Sequence, residues 1–249
     1  MADTRMTARS VVLSVLLGAH PAWATAAELL RLTAGFGIKE SALRVALTRM
    51  VAAGDLVRSQ DGYRLSDRLL ARQRRQDDAL DPHTREWDGC WVMAVITAVG
   101  EDPRTRASLR TALSRSRFGE LREGVWLRPD NLDVVVPDGM SDLVRILTVR
   151  DHDDAGLAAR LWNLGEWSDT GRRLLSEMAS ATDIPGRFAV AAAMVRHLLT
   201  DPVLPPALQP ADWPGQDLRD GYADFVALLT ERRDAREGHD AQGRLVRSQ

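Results

Sequence analysis

Residues 24–65 read ATAAELLRLTAGFGIKESALRVALTRMVAAGDLVRSQDGYRL and decide the fold of the N-terminal third. Thr25 and Glu28 form a Thr-x-x-Glu capping box, which predicts that a helix begins immediately after Thr25. Gly35 and Gly37 then interrupt the helical pattern, as a tight turn between two helices requires. The stretch therefore predicts a helix-turn-helix.

A second helix is predicted over 39–53, ending at Gly54, because glycine commonly follows the last turn of a helix. At about 100° per residue, the side chains separate into two faces. One face is apolar and contains Leu43, Ala46, Leu47 and Met50. The other is polar and contains Ser41, Arg44 and Thr48, with Glu40 and Arg49 at its margins. Arginine can bond guanine bidentately, and hydroxyl groups can bond phosphates or base edges, so this helix suits the major groove.

A short hairpin follows the second helix. Leu56–Ser59 and Tyr63–Leu65 are strand-like, and the Asp-Gly pair within Gln60–Gly62 is a strong hairpin signal. Arg58 and Arg64 flank the turn, where they could contact phosphates. The whole stretch predicts a winged helix-turn-helix that reads DNA. Its candidate DNA-binding residues are Lys39, Ser41, Arg44, Thr48, Arg49, Arg58 and Arg64. The alternative is an ordinary three-helix domain with solvated polar faces.

The charge distribution supports a nucleic-acid partner for the N-terminal part, although the net charge of the chain is −2. Residues 1–80 carry 12 Lys+Arg and 8 Asp+Glu, whereas the remainder carries 21 and 27. The basic excess therefore accompanies the predicted DNA-binding module.

Several other classes of protein receive little support. Cys90 is the only cysteine, so an intramolecular disulfide framework is excluded, and the five histidines are too scattered for a metal site. No apolar run approaches the length of a membrane span. Residues 5–24 loosely resemble a secretory signal, but their short apolar run is interpreted as the first helix of the winged module. The chain is expected to be cytoplasmic.

The middle of the chain has a different rhythm, and the sequence predicts a ferredoxin-like α+β domain there. A buried strand is predicted over 90–96 and a helix over about 102–117. Two strands over 124–128 and 132–136 follow, and then a brief helix at 141–144 and a strand over 146–150. One simple use of the exposed edge or face of so small a sheet is dimerisation.

The C-terminal part is predicted to be helical. Asp151–Gly156 resembles the start of a calcium loop, but Ala155 and Trp162 occupy positions that need oxygen ligands, so its aspartates are interpreted as helix caps. Helices are predicted over 155–164, 167–179 and 186–199, and again after the proline-rich connector 201–215.

The overall prediction is an α+β chain with three folded parts. They are a winged helix-turn-helix over 1–66, a ferredoxin-like domain over 83–153 and a helical C-terminal domain over 154–235. A connecting helix is predicted over 67–82 and a disordered tail over 236–249.

The chain resembles the PaaX-like regulators, the repressor family that controls phenylacetate degradation. The resemblance covers nearly the full length. It rests on Gly37–Leu47, Trp87–Trp91, Phe118–Leu121 with Gly124–Trp126, and Asp201–Leu208 with Asp212–Gly215. It implies a dimeric repressor that binds operator DNA and is released by an aryl- or acyl-CoA thioester.

A thioester site would need arginines for the phosphates and an apolar slot for the acyl group. The candidate effector-binding residues are Arg122, Trp126, Arg128 and Trp162, although tryptophans here are more often core residues. No catalytic residue, metal site or cofactor is predicted.

Two other functional classes stay open. The first is a metal-dependent nuclease or phosphodiesterase in the middle domain, for which Asp88 and Asp102 lie at the two ends of the first strand. A lone acidic residue beside a strand is more often a cap. The second is a winged-helix adaptor without DNA affinity.

Overall fold

The computed structural model describes residues 6–97, 102–133 and 142–229. These residues divide into two compact units. The first contains the described residues up to Leu80, Leu174–Val195 and the described residues from Asp217 onward, and the second contains the described parts of Asp81–Arg173 together with Arg196–Gln216.

The first unit begins with a winged helix-turn-helix, as the sequence predicts. Its elements are α1 (Ala8–Leu17), β1 (Trp23–Ala24), α2 (Ala26–Ala34), α3 (Glu40–Ala52), β2 (Leu56–Arg58), β3 (Tyr63–Leu65) and α4 (Asp67–Leu80). The predicted capping box is present, because the Thr25 side chain accepts from the Glu28 N–H at 3.1 Å and Glu28 Oε2 accepts from the Thr25 N–H at 2.7 Å. Gly37 and Gly54 have φ values of +68° and +70°, which side chains with a Cβ rarely adopt.

The core of this module is a continuous apolar cluster from all its helices and from the wing. α1 contributes Leu16, α2 contributes Leu29, α3 contributes Leu43 and β3 contributes Leu65. The apolar run in α1 therefore packs in the core of the module, as the sequence predicts.

The wing sheet has three strands in the order β1-β3-β2, one more than the hairpin predicted from the sequence. The additional strand, β1, is only two residues long, with Trp23 opposite Arg64 and Ala24 opposite Tyr63. This close pairing explains Gly62, where a Cβ would collide with the carbonyl oxygen of Ala24. Gly62 is therefore required for close approach of two strands, and its φ is outside the left-handed region.

The second unit contains a four-stranded antiparallel sheet in the order β5-β6-β4-β7, which is the ferredoxin-like arrangement. Its elements are β4 (Trp91–Ile96), α5 (Pro103–Arg115), β5 (Gly119–Arg122), β6 (Val125–Pro129) and β7 (Val144–Val149). Side chains on one face of the sheet pack with Leu109 and Leu113 of α5, and those on the other face pack with Leu157 and Leu161.

The fold class is confirmed, but one strand assignment was wrong. The second strand of the sheet in chain order is β5. It pairs antiparallel with β6, and the two strands are joined by a turn at Gly124, whose φ is +77°. The sequence placed the second and third strands at 124–128 and 132–136. Residues 132 and 133 are not in a strand, and residues 134–136 lie outside the described residues. The predicted brief helix at 141–144 was also wrong, because residues 142 and 143 form a turn and Val144 begins β7, while residue 141 is not described.

Helices follow the sheet, as predicted: α6 (Asp154–Leu161), α7 (Leu164–Ser180), α8 (Ile184–Leu198) and α9 over 215–229. Asp153 caps α6, because its carboxylate accepts from the Gly156 N–H at 3.0 Å. The proline-rich connector is packed down within the second unit, where Leu204 and Leu208 join the same core as Leu157. No described helix is long and apolar enough to cross a membrane. The predicted tail over 236–249 is outside the described residues.

Candidate nucleic-acid interface

The outward face of α3 is the central feature of the candidate interface. Leu43, Leu47 and Met50 are at most 3% exposed, so they fix the orientation of the helix against the core. Their positions at i, i+4 and i+7 place the remaining side chains toward solvent. The exposed residues on this helix and at its start include Lys39, Ser41, Arg44, Val45, Thr48 and Arg49.

Arg44 is the most prominent polar side chain on this face. Its side chain is 78% exposed, and its Nε donates to Glu40 Oε1 at 2.9 Å across one helical turn. Exposed ion pairs of this kind contribute at most about 1 kcal/mol, so Arg44 can exchange Glu40 for a stronger partner. The Thr48 hydroxyl donates to the Arg44 carbonyl at 3.0 Å, which points its oxygen lone pairs outward from the helix.

Val45 is a feature that the sequence interpretation missed. It is 50% exposed and lies next to Arg44 on the outward face. An apolar side chain in this position can contact the methyl group of thymine. The signal was available, because a β-branched apolar residue outside the 3.6-residue apolar stripe has no core to enter.

The wing presents its two arginines on different faces. Val57 pairs with Arg64 and Arg58 pairs with Tyr63, and neighbouring pairs along a strand alternate between faces. Arg58 is exposed, and no ion pair joins it to another residue within the described chain. Arg64 contacts the Asp67 carboxylate at 3.7 Å. The two arginines flank the turn as predicted, but they cannot approach one phosphate from the same face.

Two apolar side chains flank Arg64 on the sheet. Trp23 of β1 and Val57 of β2 both pair with it, and each is 38% exposed. The Trp23 indole N–H donates to Ser59 Oγ at 3.4 Å, which links β1 to the turn of the wing. The Arg64 side chain is thus held between two partly exposed apolar groups, an arrangement that depends on β1 and was absent from the sequence prediction.

The buried carboxylate of Asp55 holds the wing in place relative to the helices of the module. Asp55 immediately precedes β2, and its side chain is 4% exposed. It accepts from Arg9 of α1 at 2.8 Å and from Arg68 of α4 at 2.6 Å. The Asp55 carbonyl also accepts from the Ser66 N–H at 3.0 Å. One residue therefore connects α1, the wing and α4.

The four candidate effector residues do not come together in the second unit. Trp126 packs in the core on the α5 face of the sheet, whereas Trp162 packs with the core on the opposite face. Arg122 is exposed at the end of β5. These positions divide the predicted site among two sheet faces and one strand end.

Arg128 is a buried arginine whose two Nη atoms donate to backbone carbonyls, whereas its Nε has no hydrogen-bond partner among the described residues. Its Nη2 donates to the carbonyls of Leu132 and Asp133 at 3.0 and 2.9 Å, and its guanidinium lies 5.2 Å from the centre of the Phe118 ring. Burial lowers the pKa of Arg128 from its ordinary value to about 10, which still leaves it protonated at neutral pH. Its position is that of a structural cation.

The two carboxylates considered for a nuclease act as caps. Asp88 accepts from the Cys90 N–H at 2.9 Å, and this bond is the main cause that lowers its pKa. Asp102 caps α5 by accepting from the Thr105 and Arg104 N–H groups, which lower its pKa. Within the ranges that the structure describes, no cluster of His, Cys, Asp or Glu could hold a metal ion.

Comparisons with known proteins agree with this architecture. The family model for PaaX-like protein matches residues 7–69, and the model for the PaaX protein central Cas2-like domain matches residues 84–152. The transcriptional repressor PaaX of Escherichia coli (strain K12) is 28% identical over 222 residues, which cover 77% of this chain and 70% of that protein.

A solved structure also matches. It is that of the uncharacterized protein Rv0674 from Mycobacterium tuberculosis, which is 67% identical and superposes with a TM-score of 0.83. The match covers 92% of this chain and 98% of that one.

Proposed function

Because the chain belongs to the PaaX-like family of transcriptional regulators, we propose that it represses transcription by binding operator DNA through its winged helix-turn-helix. The observation that carries this proposal is the two-sided character of α3. The face that contains Leu43 and Leu47 is buried in the core, whereas the outward face exposes Arg44 among small polar side chains. A helix of this kind fits the major groove, which admits one α-helix.

Each residue of the face has a distinct role in the proposal. Arg44 leaves Glu40 and donates two parallel hydrogen bonds to O6 and N7 of a guanine. Ser41 and Thr48 bond base edges or nearby phosphates through their hydroxyl groups. Lys39, which precedes the helix, and Arg49 at its margin contact phosphates and set the register.

The wing supplies further backbone contacts. Arg58, which is exposed and lies at the end of β2, is proposed to contact a phosphate directly. Arg64 is proposed to contact a phosphate on the other wing face, where Trp23 and Val57 restrict its side chain. Such contacts raise affinity for any duplex and carry no sequence information themselves.

The repressor is further proposed to be a homodimer, so that two recognition helices meet two half-sites. Support comes from the sheet edge: β7 is an outer strand, and Leu147 on it is 42% exposed. An unpaired edge strand with an apolar side chain is a natural site for association. Sedimentation at micromolar concentration should give a dimer, and a monomer would refute this part.

The effector is proposed to be an aryl- or acyl-CoA thioester, on the basis of the family resemblance. Arg122 and Trp162 are its most accessible candidate contacts, since Trp126 and Arg128 are buried at 4% and 2% exposure. A ligand contact with either buried residue would need the core to open.

The test is fluorescence anisotropy with labelled DNA from upstream of the gene that encodes the protein, with and without phenylacetyl-CoA. Binding that is tight, salt-sensitive and released by the thioester supports the repressor and its effector. Binding that ignores the thioester retains the repressor and refutes the effector. Absence of binding to any duplex would favour the adaptor, and cleavage of the DNA upon adding Mg²⁺ would favour the nuclease.

A further inference from the structure

Helix α5 carries an unusual concentration of positive charge in the second unit. Residues 102–117 contain five arginines and a single carboxylate, that of Asp102. Residues 118–173, by contrast, contain seven arginines and eleven Asp or Glu. A basic helix in an otherwise acidic region is a local feature that the overall charge of the chain conceals.

The packing of α5 directs this charge outward. Leu109 and Leu113 are 1% and 5% exposed, and both lie in the core above the sheet. The opposite face of the helix is therefore the solvent face. The four exposed arginines of the helix are Arg104, Arg106, Arg110 and Arg115.

These four arginines form two rows on the surface of the helix, and shorter side chains lie between the rows. Helical spacing places Arg104 and Arg115 near the middle of the solvent face, about 16 Å apart at ~1.5 Å per residue, and places Arg106 and Arg110 along one margin of it. The exposed residues between the two rows have shorter side chains than arginine: Pro103, Ala107, Thr111 and Ser114. A bulky ligand backbone can therefore approach the helix closely between the two rows.

Within the described residues, Arg110 is the one arginine of these four that forms an ion pair. Arg110 is anchored, since its Nη2 donates to Glu120 Oε2 at 2.6 Å and its guanidinium lies 5.8 Å from the Trp126 ring centre. No ion pair joins Arg104, Arg106 or Arg115 to another residue of the described ranges. The Asp102 carboxylate accepts from the backbone N–H groups of Arg104 and Thr105 at 2.6 and 3.1 Å, and the charge of Arg106 is the smallest of the causes that lower its pKa.

We propose that the outward face of α5, defined by Arg104, Arg106, Arg110 and Arg115, is a second DNA-binding surface that contacts the phosphates of duplex DNA. The inference rests on the proposed function and extends it to a region outside the winged helix. Guanidinium groups in two rows suit a phosphodiester backbone, whose charges repeat along a line. The hydroxyl groups of Thr111 and Ser114, which lie between the two rows, can donate to the same phosphates.

Other acidic partners fit this face less well. A membrane surface would need large apolar side chains beside the arginines, and the apolar residues of α5 are buried in the core. A protein partner would need a large apolar or aromatic anchor, and the exposed apolar residues of the helix are only Pro103 in its first turn and Ala107. Uniform positive charge without an anchor favours a polyanion that is recognised by its charge.

The test uses the full chain with Arg104→Gln, Arg106→Gln and Arg115→Gln combined, and a random-sequence duplex at several KCl concentrations. Glutamine keeps the helix propensity of arginine, so the fold is retained, which circular dichroism will check. The matched control is the triple variant Arg160→Gln, Arg172→Gln and Arg196→Gln, which removes the same charge from exposed positions elsewhere in the second unit.

The expected result is a log–log salt slope that is shallower by about 2–3 in the α5 variant, because each lost phosphate contact removes about 0.9. The control should retain the slope of the wild-type chain, and the ratio of operator to random-DNA affinity should be unchanged in both variants. Equal slopes in the α5 variant and the control would overturn the inference.

Two further outcomes would also overturn it. Loss of the operator-to-random ratio in the α5 variant would show that the face reads sequence, and conversion of a dimer to a monomer would show that it joins two copies. The inference and the proposed function can fail separately. The proposed function fails if the wild-type ratio is one, whatever the slope of the α5 variant.

Discussion

Helices α3 and α5 are built to the same plan and present different chemistry. Each has 13 residues and buries two leucines one turn apart, Leu43 and Leu47 in α3 and Leu109 and Leu113 in α5. The outward face of α3 has Arg44, Val45 and hydroxyl groups, with Glu40 and Arg49 at its margins. The outward face of α5 has two rows of arginines, and its exposed apolar residues are only Pro103 and Ala107.

The difference separates specificity from affinity. Base edges offer donors, acceptors and methyl groups, so a reading face needs varied side chains. Phosphates offer only negative charge, so a face that holds the backbone needs repeated cations. The burial of a leucine pair decides where a helix points, and the opposite residues decide what it can bind.

The largest expected effect is the loss of stability when a buried leucine of α3 or α5 is truncated. Leu43→Ala in α3 and Leu109→Ala in α5 should each lower the free energy of unfolding by about 2–5 kcal/mol, because each leaves a cavity in a core. Urea denaturation will measure it. If either variant were as stable as the wild-type chain, that leucine would not be the buried anchor of its helix.

The next effect separates the two outward faces. Arg44→Ala should weaken operator binding by about 1–3 kcal/mol while leaving random-DNA binding almost unchanged, because a base contact is lost. Arg49→Ala is the matched control, and it should weaken both DNAs similarly. Competition anisotropy will give the two affinities. Equal losses for both DNAs in Arg44→Ala would make Arg44 a phosphate contact.

A smaller effect is expected at the wing. Arg58→Ala should make the salt slope shallower by about 1, since a single phosphate contact is lost. Arg31→Ala, at an exposed position on α2, serves as the control. An unchanged slope in Arg58→Ala would remove this side chain from the interface.

The smallest effect concerns how the helices begin. Asp102 caps α5, whereas no side chain caps α3 at Lys39. Hydrogen bonds in the folded chain hold the pKa of Asp102 below its usual 3.8, so its stabilising effect exists above that pH and disappears as pH falls through the folded value. Asp102→Ala should lower the melting temperature at pH 7 and have less effect at pH 3. A constant difference would show that ionisation of the cap is irrelevant.

The sequence predicted the helices well because their signals are local. The capping box at Thr25, the glycine after α3 and the period of Leu43 and Leu47 each lie within a few residues of the element that they define. The ferredoxin-like class followed from the order of helices and strands, and the family resemblance is confirmed.

The elements that were missed depend on distant partners. β1 has two residues and exists because Trp23 and Ala24 meet β3 some forty residues later. β5 begins at Gly119, where a Cβ would lie 2.7 Å from the Leu161 Cβ, so a glycine that weakens the strand signal is required by packing from α6. Likewise, Trp126 and Arg128 lie two residues apart on β6, so their side chains point to the same face of the sheet. The sequence alone did not show that this face is buried, because the register of β6 against β4 was not known.

The most direct test of the central claim is the ratio of dissociation constants for two duplexes of equal length, one from upstream of the gene and one of random sequence. We expect the wild-type chain to bind the upstream duplex at least about 10³-fold more tightly at physiological salt. Equal dissociation constants for the two duplexes would contradict the claim that α3 reads an operator.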